Sequence, residues 1–356
     1  MDAEWDRVTV FLSNRREPPS MTLALILGCA GPTLSPEEAA FFRAVQPWGF
    51  ILFKRNVETP AQVRALTAAL RETVGRADAP ILIDQEGGRV QRMTRPHWQA
   101  YPSGRAYLRA AGPEGGPALA HLGARLMAHD LAEVGINVDC APVLDVPVPG
   151  AHDVIGDRAY GTDPAVVAAF GRAVAEGLMA GGVLPVMKHM PGHGRAGADS
   201  HHALPVVEAS LDDLDAHDFR PFRSLADLPM AMSAHVVFRT LDPECPATTS
   251  ATVIREIVRG RIGFDGLLMT DDLSMNALSG THRERAAAAF RAGCDIGLHC
   301  NGVRAEMEEV VASAPILAGE ALRRAEAALA RLIPATPAFD PAEARARLDA
   351  GLAAAA

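Results

Sequence analysis

The residues of this chain best able to do chemistry crowd into one eighteen-residue segment. It reads Lys188-His189-Met190-Pro191-Gly192-His193-Gly194-Arg195-Ala196-Gly197-Ala198-Asp199-Ser200-His201-His202-Ala203-Leu204-Pro205. The segment follows the apolar run Val183 to Met187. Ionisable groups at the exit of a buried strand, followed by a glycine-rich loop, are the pattern of a catalytic loop on an α/β scaffold. Asp199 and His201 lie two apart, so the carboxylate can orient the imidazole and raise its pKa. Asp271 closes a second apolar run in Thr270-Asp271-Asp272-Leu273-Ser274-Met275. Asp84, Arg92, Arg158, Lys188 and His189 supply donors and acceptors able to grip several hydroxyls or an amide. A carboxylate nucleophile, a proton shuttle and a hydroxyl-reading ring suit glycoside hydrolysis through a glycosyl-enzyme intermediate.

Such groups need a scaffold that brings them to one place. Short apolar runs alternate with Ala-rich helical segments. Strands are expected at Leu23–Leu27, Gly49–Phe53, Pro80–Asp84, Asn137–Cys140, Leu184–Lys188, Met230–Ala234, Leu267–Asp271 and Asp295–Leu298. Helices are expected near 36–46, 60–75, 114–135, 163–181, 211–225, 249–259, 281–292 and 303–314. Ser35, Thr59 and Ser210 stand as N-caps. Eight β-then-α units predict an α/β protein with a single-domain (β/α)₈ barrel, of the TIM-barrel type. A doubly wound open sheet is the alternative, but Gly192-His193-Gly194 lacks the third glycine of a dinucleotide loop. Residues 1–20 read as a flexible extension, 21–335 as the barrel, and 336–356 as a helical tail packed on it. Segments 319–332 and 341–354 are expected to be helical and to lie on the outside.

In such a barrel the catalytic residues collect where strands end. Here the polar motifs Asp84–Arg92, Gly156–Gly161, Lys188–Pro205 and Thr270–Met275 all follow strand ends, whereas the strand beginnings are plain. Each residue also has a structural reading. Asp271 could cap the next loop, Arg158 could anchor its own, and Lys188 with His189 could be structural. Asp272 reads as a capping or supporting residue and not a nucleophile, Asp145 and His235 as supports of the barrel mouth, and His299 as a rim residue. His193 divides between shaping its turn and direct contact. Only two of the 34 basic side chains are lysines, Lys54 and Lys188. A lysine kept amid such a bias toward arginine marks a place where a compact point charge differs from a planar fork.

Composition narrows the class. The 356 residues are 49% hydrophobic and 22% charged with net charge −9, which suits a globular protein and not a nucleic-acid or anionic-membrane binder. The five cysteines show no CxxC pair, so buried thiols in a reducing compartment are expected. Met21 to Ala30 ends in Leu-Gly-Cys like a lipoprotein site. Its apolar core is short, however, and cleavage would remove the first strand. A cytoplasmic protein is therefore expected, with Met21 as an alternative start.

The four motif blocks, in this order over roughly 21–335, resemble glycoside hydrolase family 3. More narrowly they resemble its single-domain bacterial β-N-acetylhexosaminidases. The string Lys-His-x-Pro-Gly-His-Gly-x₄-Asp-Ser-His carries most of the specificity. The resemblance implies a (β/α)₈ barrel, a retaining mechanism, no cofactor and no metal. It assigns the nucleophile to Asp271 and the acid/base to His201, paired with Asp199. It places Asp84, Arg92, Arg158, Lys188 and His189 around the sugar. His201 is favoured over His202 by motif register. The implied substrate is N-acetylglucosamine β-linked to an anhydro-muramic acid, a cytoplasmic cell-wall recycling fragment with or without peptide. The partner is thus a small sugar or muropeptide, with no nucleic acid or membrane, and the chain a monomer. Alternatives are a metal-dependent TIM-barrel hydrolase using His189, His193, His201 and Asp199, a family 3 β-glucosidase, and a glycoside phosphorylase.

Overall fold

The computed structural model describes residues 22–197, 200, 204–333 and 339–353. Asp199, His201 and His202, the extension 1–20 and parts of the C-terminal tail lie outside the described residues. Eight parallel strands close into a barrel: β1 Leu23–Gly28, β2 Pro47–Leu52, β3 Ile81–Ile83, β4 Val138–Asp139, β5 Leu184–Met190, β6 Met230–Ser233, β7 Leu267–Asp272 and β8 Ile296–His299. They pair in chain order, and β1 closes on β8 with Leu25 opposite Gly297. Each of the eight expected strands is present, displaced by at most two residues at an end. Parallel barrel strands are buried on both faces, so they read as continuous apolar runs.

Alternation along each strand sorts side chains into two layers. Ala24, Ile26, Leu82, Leu184, Val186, Met230, Met232, Leu267 and Met269 fill the barrel interior. Leu25, Leu27, Ile81, Ile83, Met187, Ala231 and Leu268 pack outward on the helices. Two residues beyond inward Val186 stands Lys188, two beyond Met269 stands Asp271, and two beyond Leu82 stands Asp84. The period-2 rule therefore aims all three at the mouth.

The outer ring begins with α1 Pro36–Val45 and α2 Pro60–Val74, where Ser35 and Thr59 accept the N–H groups of Glu38 and Gln62. α3 spans Gly104–Ala132, ten residues earlier than its sequence signal, with a break at Gly112, whose φ is +67°. The expected helix starts just after the Gly112-Pro113 pair; the helix instead starts before it, breaks at Gly112 and resumes. α4 Pro164–Ala180 follows, then α5 (211–224), whose cap Ser210 accepts from Asp213. Both α5 and α6 (Val253–Arg261) contain wide π-type turns. α7 His282–Ala292 and α8 Arg304–Val311 complete the ring.

α9 (Gly319–Leu329) departs from the expected outer position. Its Ala325 and Ala328 join the interior cluster with Ala24 and Trp48, so it plugs the barrel floor. Arg324 fixes it there through Asp295 at 3.0 Å and Asp265 at 2.9 Å. α10 (Pro341–Ala353) packs against α3, with Leu348 fully buried. Among the described residues no helix is long and apolar enough to cross a membrane. All five cysteines are free thiols, and four of them are buried.

Candidate active site

A pocket of ≈ 140 Å³ opens at the C-terminal ends of the strands, and five expected side chains line it together: Asp84, Arg92, Arg158, Lys188 and His189. Asp271 lines it as well. Lys188, at the end of β5, donates to Asp84 Oδ1 at 2.8 Å and meets Glu86 Oε1 at 2.7 Å. Arg92 holds the second oxygen of Asp84 at 2.9 Å. Arg158 reaches in from the short helical turn Gly156–Arg158 and grips Glu86 with a fork, Nε to Oε2 at 2.8 Å and Nη2 to Oε1 at 2.7 Å. Burial alone would raise both carboxyls. The cations overcome it: Lys188 and Arg92 hold Asp84 well below the usual carboxylate range, and Arg158 and Lys188 hold Glu86 at about 2. Lys188 is opposed by burial but kept above its ordinary value by Asp84 and Glu86.

On the other wall, the segment after β4 is tied to β5 by Leu144 N–H donating to Lys188 O at 2.7 Å. This sets Asp145 beneath His189, whose Nδ1 lies 2.6 Å from Asp145 Oδ2. The second oxygen accepts the backbone N–H of His193 at 2.7 Å. His193 itself is buried against the pocket, its Nε2 3.3 Å from Ser200 Oγ. Burial pushes its pKa down to about 4, so it is neutral at neutral pH. It therefore both shapes its turn and lines the pocket.

Asp271 is the last residue but one of β7, and its Oδ1 accepts the N–H of Asp272 at 2.8 Å. Burial would raise its pKa, but the imidazoles of His235 and His189, the Asp272 amide and Lys188 leave it below the ordinary value. It is an ionised, half-buried carboxylate facing the pocket, a state suited to a nucleophile. Asp272 is occupied elsewhere, accepting from Ser274 Oγ at 2.6 Å and from Cys300 N–H at 3.1 Å. His235 bridges Thr248 Oγ1 at 2.8 Å and Asp272 O at 3.0 Å. Both thus support the mouth, as their sequence positions suggest.

The sequence carries a match to the glycosyl hydrolase family 3 N-terminal domain over residues 33–333. The chain belongs to this family. The β-hexosaminidase of Methylococcus capsulatus is 42% identical over 275 residues, covering 76% of this chain and 80% of that one. That of Pseudomonas aeruginosa is 41% identical over 293 residues, covering 82% and 86%. Among solved structures, NagZ from Neisseria gonorrhoeae in complex with N-trifluoroacetyl-D-glucosamine superposes with a TM-score of 0.80 at 31% identity. It covers 94% of this chain and 97% of that one. A family 3 β-N-acetylglucosaminidase from Paenibacillus sp. gives 0.79 at 32% identity, over 92% of this chain and 67% of that one.

Against this family 3 background, two readings of the sequence need correction. Glu86 was absent from the expected set, yet it joins Lys188 to Arg158. The signal was available, because Glu86 stands two residues from Asp84 on extended chain and so faces the same way. Gly194 serves close packing: a Cβ there would meet Val146 O at 2.1 Å. Arg195 further pins the first half of the loop to buried Asp218 at 2.6 Å. His299 was expected at the rim; its ring is fully buried, 5.4 Å from that of His282. Lys54, the other lysine, is exposed and donates to Thr94 Oγ1 at 2.9 Å. The proposed acid/base pair, Asp199 and His201, lies outside the described residues, and Ser200 between them contacts His193. Among the described residues, no group of three or more His, Cys, Asp or Glu side chains is arranged to hold a metal ion.

Proposed function

We propose that this family 3 chain is a retaining β-N-acetylglucosaminidase that removes terminal, non-reducing β-linked N-acetylglucosamine. The observation that carries the reading is Asp271. It is a half-buried carboxylate, kept ionised, sharing one pocket with the cation-and-carboxylate grip formed by Asp84, Arg92, Arg158, Lys188 and His189. The β-hexosaminidase relatives and the neighbour that holds an N-acylated glucosamine support the choice of sugar.

The mechanism follows from the chemistry of the groups. An Asp271 oxygen attacks the anomeric carbon while His201, oriented by Asp199, gives its proton to the departing glycosidic oxygen. The aglycone leaves with that proton, and the sugar remains as an ester of Asp271. His201, now neutral, takes a proton from water, whose oxygen attacks the same carbon and frees Asp271. Two inversions return the β configuration. The grip residues read the ring hydroxyls and hold it near the attack geometry. The favoured natural substrate is N-acetylglucosamine linked to an anhydro-muramic acid, with or without peptide, hydrolysed in the cytoplasm during cell-wall recycling.

The test is hydrolysis of a chromogenic N-acetyl-β-glucosaminide by the wild type, Asp271→Ala and His201→Ala, beside the matching β-glucoside. Strong preference for the glucosaminide, abolished by Asp271→Ala, is expected. Equal turnover of the glucoside would point to a β-glucosidase instead.

A further inference from the structure

Glu86 occupies an unusual position in the mouth. Its side chain is only 5% exposed, yet a single oxygen, Oε1, lies 2.7 Å from both Lys188 Nζ and Arg158 Nη2. The other oxygen takes Arg158 Nε at 2.8 Å. Lys188 has three N–H groups; one faces Asp84 and one Glu86, which leaves one for a ligand. Arg158 has five; two go to Glu86 and one to Val154 O at 3.2 Å, which leaves two. Both side chains line the pocket, so their remaining donors are available to a ligand held there.

Charge tells the same story. The pocket lining carries three permanent cations, Arg92, Arg158 and Lys188. The carboxylates of the same lining are Asp84, Glu86, Asp271 and Asp272, but only Asp84 and Glu86 pair with those cations. Without Glu86 the grip would hold three cations, Arg92, Arg158 and Lys188, against the single carboxylate Asp84, and Arg158 would have no carboxylate partner of its own. Such a cluster of poorly compensated donors binds oxyanions. A neutral sugar would then compete with every sulfate or phosphate in solution.

We infer that Glu86 is the positioning residue of the sugar grip: it locks Arg158 and Lys188 into one unit, aims their remaining donors at the ring hydroxyls, and cancels the charge that would make the mouth an anion site. The inference rests on the glycosidase reading above. Glu86 acts through Arg158 and Lys188 and not on the reacting atoms.

Glu86→Gln keeps the shape and removes the charge. With the chromogenic glucosaminide, KM is expected to rise about tenfold while kcat changes by less than about threefold, because uniform binding is lost and the chemistry is not. Sulfate, harmless to the wild type at the same ionic strength, is expected to become a competitive inhibitor of the variant. In the cycle with Arg158→Gln, the double variant is expected to be little worse than either single one, since both remove one unit. KM and sulfate sensitivity equal to wild type would overturn the inference, as would fully additive losses. Should Glu86→Gln fold poorly, Arg158→Gln alone decides: it frees Glu86 without adding positive charge, so raised KM with no sulfate inhibition is expected, and sulfate inhibition would overturn the charge argument. Wild type that cleaves no glucosaminide would instead refute the glycosidase reading itself.

Discussion

Asp145 binds one residue's ring and two residues' backbone: Oδ2 lies 2.6 Å from His189 Nδ1, while Oδ1 accepts the N–H of His189 at 3.2 Å and of His193 at 2.7 Å. Burial would raise this carboxyl, but His189 and His193 hold it at about 2. It can therefore only accept, so Nδ1 of His189 carries the proton and Nε2 is presented toward the pocket. One buried carboxylate thus fixes both the ring that lines the pocket and the turn that starts the following loop.

Replacing Asp145 by Asn removes the charge and turns an NH₂ group toward donors. Leaving a buried donor unsatisfied costs about 1–3 kcal/mol, so kcat/KM for the glucosaminide is expected to fall about 10- to 100-fold. Thermal unfolding measured alongside should drop by a few degrees only. Kinetics within about twofold of wild type would show that His189 needs no such anchor.

Two glycines in the loop separate packing from freedom. A Cβ on Gly194 would strike Val146 O at 2.1 Å, whereas one on Gly197 has no neighbour within 4 Å. Gly194→Ala is expected to cost about 1–3 kcal/mol of stability and to cut activity, because the backbone itself must move. Gly197→Ala should leave melting unchanged. Chemical denaturation of the two variants in parallel checks this, and equal stabilities would contradict the packing assignment.

Much of this was legible from the sequence, for identifiable reasons. The strands of a closed parallel barrel are buried on both faces, so Leu23–Gly28 and Leu267–Asp272 declare themselves as apolar runs. Asp84, Lys188 and Asp271 follow from strand alternation. Glu86 was hidden because a polar run offers many candidates, and only contact with two cations singles one out. α9 was hidden because Ala325 and Ala328 suit an outer helix as well as a plug; what decides is the barrel floor they meet. The early start of α3 was masked by Gly112 and Pro113, local breakers overridden by packing of Tyr107 and the turns that follow.

Acid stability offers an independent check on the mouth. Glu86 has an ordinary value of 4.5 and sits at about 2 when folded. A lowered carboxyl stabilises the fold above its unfolded pKa, and that stability is lost as pH falls toward the folded pKa. The stability gap between wild type and Glu86→Gln should therefore be widest above about pH 5 and close toward about pH 2. Denaturant titrations across that range measure it. A gap independent of pH would mean that Glu86 contributes shape and not charge.

If His201 supplies the proton to the leaving oxygen, its value depends on how badly the leaving group needs one. A dinitrophenolate departs readily without protonation, but a sugar alkoxide does not. His201→Ala is expected to lose about 10²- to 10⁴-fold on a natural-type disaccharide and far less on the dinitrophenyl glycoside. Initial rates on a series of aryl glycosides of graded leaving-group pKa test this through the slope of log rate against pKa. An unchanged slope would remove His201 from the acid role.

The nucleophile admits the most direct test, because its removal changes the product as well as the rate. As the proposed nucleophile, Asp271 would attack the face opposite the departing β-linked group. Asp271→Ala leaves a cavity on that face and a functional acid on the other. Turnover of an activated glucosaminide should fall by more than about 10³-fold, since no covalent intermediate can form. A small anion such as azide can occupy the cavity and attack once, with one inversion where the wild type performs two. The rescued product is therefore expected to be the α-glycosyl azide, while wild-type hydrolysis releases the β-anomer first. Proton NMR of the anomeric region distinguishes the two. A β-configured azide from the variant, or rapid hydrolysis without azide, would place the nucleophile at some residue other than Asp271.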